Sequence, residues 1–218
     1  MKSKMLQRVL ANKNQFFQHK DGTFKLLGMY GRIVPIFTLV FIEKLFEDNF
    51  DKKKVDDLLY LAGESQSYSA TAWTVNKIGI PVKGNELKIF RENSGHGEIT
   101  GAGKTKIIKF DMKNKIIIAK IDNNIFCKQY QKCFGIQKEC VDHYVRGLFS
   151  GTAKFLFGED VIVIPKECAS MGKKWCIYKI VPQKEYIEKY GEKVKEYVPD
   201  KSLNIDAIKQ VNIKNFLK

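Results

Sequence analysis

Five cysteines carry the most chemistry in this 218-residue chain: Cys127, Cys133, Cys140, Cys168 and Cys176. A thiolate can act as nucleophile, redox partner or metal ligand. No two of them stand at Cys-x-x-Cys spacing. That disfavours a zinc ribbon, a ferredoxin-type cluster and a thioredoxin-type redox site. Cys168 and Cys176 are separated by seven residues that include Gly172. The flanking residues read as strands, so a turn there places both thiols on one side of a hairpin. Two thiolates, joined by a carboxylate or an imidazole from the preceding helix, would make a closed tetrahedral zinc site. Cys140, Asp142 and His143 lie on that helix. The same cysteines also fit as small buried hydrophobes.

Other reactive patterns are weaker. Histidine occurs at His19, His96 and His143. His143 follows Asp142, but adjacent residues on a helix do not face each other, so the two are not a dyad by themselves. Gly101-Ala102-Gly103-Lys104-Thr105 looks like the end of a phosphate-binding loop. A true loop of that kind needs Gly where Glu98 stands, and it must open a helix. Here Lys106 to Phe110 continues as strand, so Gly95, Gly97, Gly101 and Gly103 read as a glycine-rich loop between strands. No nucleophile elbow and no paired-histidine metal motif is present.

The elements that must position these residues follow from periodicity. Residues 3–19 form a weak helix. Pro35 suits the first turn of a helix running to about Phe50. Asp51 is an N-cap for a second helix, to about Lys77, closed by Gly79. Gly63, Ser65, Ser67, Ser69, Ala70 and Ala72 make that helix small-sided, so a neighbour can approach its backbone. Leu87 to Arg91, Thr105 to Met112 and Lys115 to Asp122 read as strands, with Ile107 and Ile108 breaking strict alternation and a hairpin turn at Asp111 to Asn114. Phe126 to Phe134 is a short helix or loop. Glu139 to Phe157 is an amphipathic helix carrying Gly147 and Gly151 one turn apart. Two interior glycines cost about 1 kcal/mol each relative to Ala, so either the sheet or a partner subunit must pack against that face. Val161 to Ile164 and Trp175 to Val181 are strands, and Gln183 to Val198 is a charged helix. The order predicts an α+β fold with a largely antiparallel sheet flanked by helices.

Composition bounds the function. The chain carries 38 basic and 24 acidic residues, a net charge of +14. Only Arg8, Arg32, Arg91 and Arg146 are arginine, and arginine is the residue that reads phosphates and bases in bidentate fashion. The excess is spread along the chain, so nucleic acid is a weak expectation. The opening MKSKMLQRVLANKNQFF lacks the apolar core of a signal peptide. Residues 33–42, the longest apolar stretch, fall short of the ~20 needed to span a membrane. A cytoplasmic protein with reduced thiols is expected.

The stretch from about Gly95 to Pro182 resembles the 4-vinyl reductase domain family. The residues that carry it are Gly147-x-x-Ser-Gly151, then Val161 to Cys168, Met171-Gly172, and Cys176-Ile177-Tyr178. Gly95-x-Gly97 and Gly63 with its small neighbours also fit. The resemblance implies a fold shared with trafficking-complex subunits and haem-NO sensor domains, often as a homodimer. It implies a receptor for hydrocarbon or aromatic ligands. In phenol-sensing relatives a zinc is held by two Cys at the spacing of Cys168 and Cys176, by a Glu where Pro165 stands here, and by a Cys where Asp142 stands. Two repairs are open. Glu167 shares a strand face with Pro165 if alternation holds, and Asp142 can itself ligate, with Cys140 or His143 nearby. The expected zinc ligands are therefore Cys168, Cys176, Asp142 and Glu167.

The chain divides into a helical extension over residues 1–21, a ligand-binding domain over 22–182, and a charged helix and tail over 183–218. The expected function is a small-molecule sensor module that signals through a separate protein partner. Tyr68, Trp73, Phe126, Tyr144, Phe149 and Trp175 are the candidate pocket walls. The alternative is a reductase-related enzyme or accessory factor acting on a vinyl-bearing substrate. It would need a hydride or electron source, and the chain shows no dinucleotide fingerprint.

Overall fold

The computed structural model describes residues 17–20, 23–26, 29–31, 35–99 and 102–205. Three short strands come first: β1 (Phe17–Lys20), β2 (Thr23–Leu26) and β3 (Met29–Gly31), paired antiparallel in chain order. Of the helix expected over 3–19, residues 3–16 lie outside the described residues and 17–19 belong to strand β1.

Helices α1 (Ile36–Asn49) and α2 (Lys52–Ile78) follow the sequence closely. Asp51 caps α2 by accepting a hydrogen bond from the Lys54 amide, satisfying one of the free N–H groups of the first turn. Gly79 ends the helix in the left-handed conformation, at φ 63°. The next segment corrects the reading. Leu87 to Arg91 is not a strand but part of α3 (Glu86–Ile99). A short apolar run is ambiguous between the two periods, and here Ile89 and Phe90 go into the core as one helical face. Gly95 and Gly97 therefore lie inside a helix rather than in a loop.

The main sheet has strand order β4-β5-β7-β6, antiparallel throughout. Its strands are β4 (Lys104–Asp111), β5 (Ile116–Asp122), β6 (Val161–Glu167) and β7 (Cys176–Pro182). The doublet Ile107-Ile108 marks a β-bulge in β4, which leaves Ile108 exposed. Between β5 and β6 come α4 (Ile125–Phe134) and α5 (His143–Phe157). After β7, α6 (Gln183–Tyr190) runs into a 3₁₀ stretch, Gly191–Tyr197. The sheet is covered on both faces. Val161 and Val163 join the main core, while Ile162 and Ile164 meet Val194 and the C-terminal helical segment.

The two glycines of α5 and the small-sided stretch of α2 turn out to be one feature. A Cβ on Gly147 would lie 2.0 Å from the Tyr60 carbonyl oxygen. On Gly151 it would lie 2.2 Å from the Glu64 carbonyl oxygen, and on Gly63 2.2 Å from that of Tyr144. The helices thus touch backbone to backbone. Neither the sheet nor a partner subunit supplies this contact, as the sequence had suggested. A polar seam closes it: the Ser67 and Thr152 hydroxyls are 2.7 Å apart, and Ser150 donates to Glu64 at 2.5 Å.

Candidate metal centre

Four elements converge on one buried point below the sheet. Asn124 caps α4, its side-chain oxygen accepting from the Cys127 amide at 3.1 Å. The same side chain donates to Asp142 Oδ2 at 2.7 Å, so one asparagine fixes Cys127 and Asp142 together. Asp142 stands at the N-terminus of α5 but does not cap it. Its carboxylate accepts instead from Asn124, from the Tyr178 hydroxyl and from the Cys140 thiol, the last at 2.8 Å. Cys168 directly follows β6 and Cys176 opens β7, with a 3₁₀ turn, Ala169–Met171, and left-handed Gly172 between them. The Ala169 amide donates to Cys176 Sγ at 3.2 Å, and Ser170 Oγ lies 3.0 Å from Cys168 Sγ.

Cys127, Asp142, Cys168 and Cys176 are all buried, and their ligand atoms lie within 4.8 Å of one another. Cys168 Sγ is 3.6 Å from Cys127 Sγ and 3.9 Å from Cys176 Sγ. The edge of a tetrahedron with zinc–sulfur bonds of about 2.3 Å is roughly 3.8 Å, so the thiol spacings fit a zinc ion at the centre. Cys140 stands outside this group of four, hydrogen-bonded to Cys168 Sγ at 2.7 Å and to Asp142. Cys133, the remaining cysteine, is exposed on α4.

The four groups and Cys140 shift one another's charge. Cys168 alone is pushed below the ordinary thiol range, chiefly because Cys127, Cys140 and Cys176 donate to it. Burial holds Cys140 well above that range. Asp142 is pushed up to about 6, by burial first and then by the negative Cys168. The neighbouring thiols thus favour the negative form of Cys168. A divalent soft ion would let the whole set ionise.

Three of the four expected ligands are therefore brought together, and the fourth is replaced. Glu167 lies outside the group, and Cys127 joins it. The reason is a second β-bulge. Pro165 pairs with Tyr178, but Glu167 pairs with Ile177, so alternation fails between them and the shared face is lost. Edge position in the sheet is what allows Pro165 inside β6 at all. His143 points elsewhere. Its Nδ1 accepts from Arg146 at 3.1 Å and its Nε2 lies 3.4 Å from Asp56.

The six candidate pocket walls do not converge. Phe149 is buried in the core, stacked on Phe90 with ring centroids 6.0 Å apart and against Tyr178 at 5.4 Å. Tyr68 is 42% exposed and packs edge-on to Phe155. Tyr144 donates to Gln66, Phe126 leans on Tyr130, Trp73 is half-buried on α2, and Trp175 lies beneath the Lys120 ammonium. None lines a described cavity.

Near the centre, α1 buries one acid. Glu43 is 7% exposed, and its Oε1 finds no hydrogen-bond partner among the described residues. Burial, then the charges of Glu47, Asp142 and Asp56, raise its pKa to about 9. The folded protein thus keeps Glu43 protonated while the unfolded chain ionises it from about pH 4.5. Stability from this group is fully present below that pH and is lost as pH rises toward 9. By neutral pH the loss is of the order of 3 kcal/mol. Glu43→Gln is expected to stabilise the protein increasingly from about pH 5 to about pH 8, read from urea midpoints. An equal shift at both pH values would contradict the assignment.

No family model and no curated protein matches the sequence. Among solved structures, the chain is similar to the crystal structure of the phenol-responsive sensory domain of the transcription activator PoxR with phenol. That match has 15% identity and a TM-score of 0.68, covering 91% of this chain and 100% of that one. It is also similar to a trafficking protein particle complex subunit 3 from Naegleria fowleri, covalently bound to palmitic acid, at 10% identity and TM-score 0.47, covering 67% and 91%. A vinyl-4-reductase family protein from Methanocaldococcus jannaschii matches at 19% identity and TM-score 0.43, covering 69% and 82%. The chain thus has the fold of the phenol-responsive sensory domain, and the resemblance read from residues 147–178 holds at the level of fold.

Proposed function

We propose that this chain is a small-molecule-binding domain of the sensor type, stapled by one zinc ion on Cys127, Asp142, Cys168 and Cys176. The observation that carries the reading is the convergence of three buried thiols and a carboxylate from α4, α5, β6 and β7. A closed set of four protein ligands leaves no position for substrate, so the metal's work is structural. The shared fold with a phenol-responsive domain supports the small-molecule part. The enzyme alternative has less support. Gly95-His96-Gly97, the nearest approach to a dinucleotide fingerprint, lies within α3 rather than at a strand-to-helix turn. No helix of the described residues is long and apolar enough to cross a membrane.

Calorimetry with phenol and toluene tests the binding. Saturable heats support it, and none with either compound, on metal-loaded protein, counts against it.

A homodimer would use α1. Phe37, Leu39, Phe41, Ile42, Leu45, Phe46 and Phe50 are each at least 45% exposed along that helix, more apolar surface than an isolated helix face usually presents. Light scattering is expected to give a dimer, and Leu45→Glu a monomer of unchanged helix content. A wild-type monomer at micromolar concentration would rule the surface out.

A further inference from the structure

Helix α5 carries a buried charge. Arg146 is 5% exposed, and among the described residues no carboxylate lies within ion-pair distance of its guanidinium. An arginine stays protonated in any protein, so its charge persists in the interior. Its Nε donates to the Val163 carbonyl at 3.1 Å, and its Nη1 donates to His143 Nδ1. Because arginine can only donate, His143 must accept on Nδ1 and carry its proton on Nε2, next to Asp56. The rings of Tyr60 and Tyr197 lie near the guanidinium, each centroid 5.5 Å from the central carbon. What remains is the end-on edge, the second hydrogen of Nη1 and both of Nη2.

Arg146 lines a cavity of about 300 Å³ between α2, α5, the end of β6 and the C-terminal segment. That is room for roughly ten water-sized groups. Five acids lie on its wall, Asp56, Asp57, Glu139, Glu167 and Glu196, and three of them are ion-paired. Asp56 is paired with Lys52 at 2.9 Å, Asp57 with Lys53, and Glu139 with Lys52 at 2.7 Å. Lys138 and Lys166 add positive charge to the lining, and Met171 and Pro199 add apolar surface. The C-terminal segment closes over it. The Asp200 amide donates to Asp57 at 3.1 Å, and Lys53 reaches the Val198 carbonyl at 3.5 Å, which seats Tyr197 on Arg146.

We infer that this cavity is a binding site for a small organic carboxylate, received end-on by Arg146 beside Tyr60 and Tyr197. A guanidinium whose Nε and Nη1 are held by Val163 and His143 keeps its end-on edge for two coplanar carboxylate oxygens. The two nearby rings suit an aromatic or short aliphatic body. His143, with Asp56 behind it, holds the guanidinium in place as a positioning residue. The cavity adjoins the metal centre through Cys140, which lines it, but takes in none of the four grouped ligands. It rests on the small-molecule reading above, for which it supplies a place and a ligand class.

The test uses the full-length, metal-loaded chain and calorimetric titration with benzoate, with inorganic phosphate and phenol in parallel. Benzoate is expected to bind one per chain, and Arg146→Gln to weaken it at least about tenfold. Tyr197→Ala, which leaves α5 untouched, is expected to weaken it as well, and its melting curve shows that the fold is intact. Benzoate that fails to saturate the wild type, or that binds Arg146→Gln and Tyr197→Ala as tightly as wild type, overturns the inference. So does phosphate binding more tightly than benzoate. If phenol binds and benzoate does not, the carboxylate site fails while the small-molecule reading stands. If neither binds, both fail.

Discussion

Cys168→Ser is expected to yield protein without metal and with a melting temperature lower by roughly 10 °C or more. Cys168 is the hub of the centre, with Cys127, Cys140 and Cys176 within 3.9 Å of its sulfur. A structural zinc contributes apparent binding energy of the order of 10 kcal/mol in small domains. Even a third of that, in a chain of this size, moves the midpoint by about 10 °C. The replacement also leaves a buried site built for negative sulfur with no cation to balance it. Two controls sharpen the result. Cys133→Ser, on the exposed side of α4, should change neither metal content nor stability. Glu167→Gln should also keep the metal, because the β6 bulge removes Glu167 from the set, whereas Cys127→Ser should lose it. Metal content by elemental analysis with parallel thermal melts reads all four. Retention of full metal by Cys127→Ser with loss by Glu167→Gln would restore the ligand set that simple strand alternation suggests.

Gly147→Ala should cost about 2 kcal/mol or more, and Gly147→Leu should abolish folding. In most helices the first change would be favourable by about 1 kcal/mol, since alanine is the better helix former. Here the added methyl would sit 2.0 Å from the Tyr60 carbonyl oxygen and 2.9 Å from the Glu64 amide nitrogen, where ordinary contact begins at 3.4 Å. Neither neighbour is a side-chain tip that can swing away, so the helices must separate. Separation would stretch the Ser150–Glu64 and Ser67–Thr152 hydrogen bonds of the seam. Urea denaturation of the glycine variants tests this. A Gly147→Ala protein as stable as wild type would mean that α2 and α5 do not meet as described.

The packing of α2 on α5 was half legible. Gly147, Gly151 and the small run from Gly63 each announced a close approach, but nothing in one-dimensional spacing says that two such faces meet each other. The bulge in β4 was legible as the Ile107-Ile108 doublet, because two apolar residues in succession cannot both face the core of a strand. The bulge in β6 was not. Pro165 could have signalled it, since proline cannot donate to the ladder, yet the register shift that carries Glu167 off the shared face depends on Tyr178 and Ile177 across the sheet. Cys127 was missed for a similar reason. It lies 41 residues before Cys168, and its one local sign is Asn124 three positions earlier, the cap that starts α4 and also holds Asp142. Leu87 to Arg91 failed on period: four or five residues of mixed apolar character fit either a strand or one turn of helix, and contacts with the sheet decide. The net charge of +14 is spread along the chain, and nothing in it singled out Arg146, which is buried.

Native mass spectrometry of the chain, purified under reducing conditions, tests the central claim most directly. One zinc per chain, retained on dilution and released with loss of folding on denaturation, is the predicted result. A fully folded chain that carries no metal and takes up none from added zinc would contradict it.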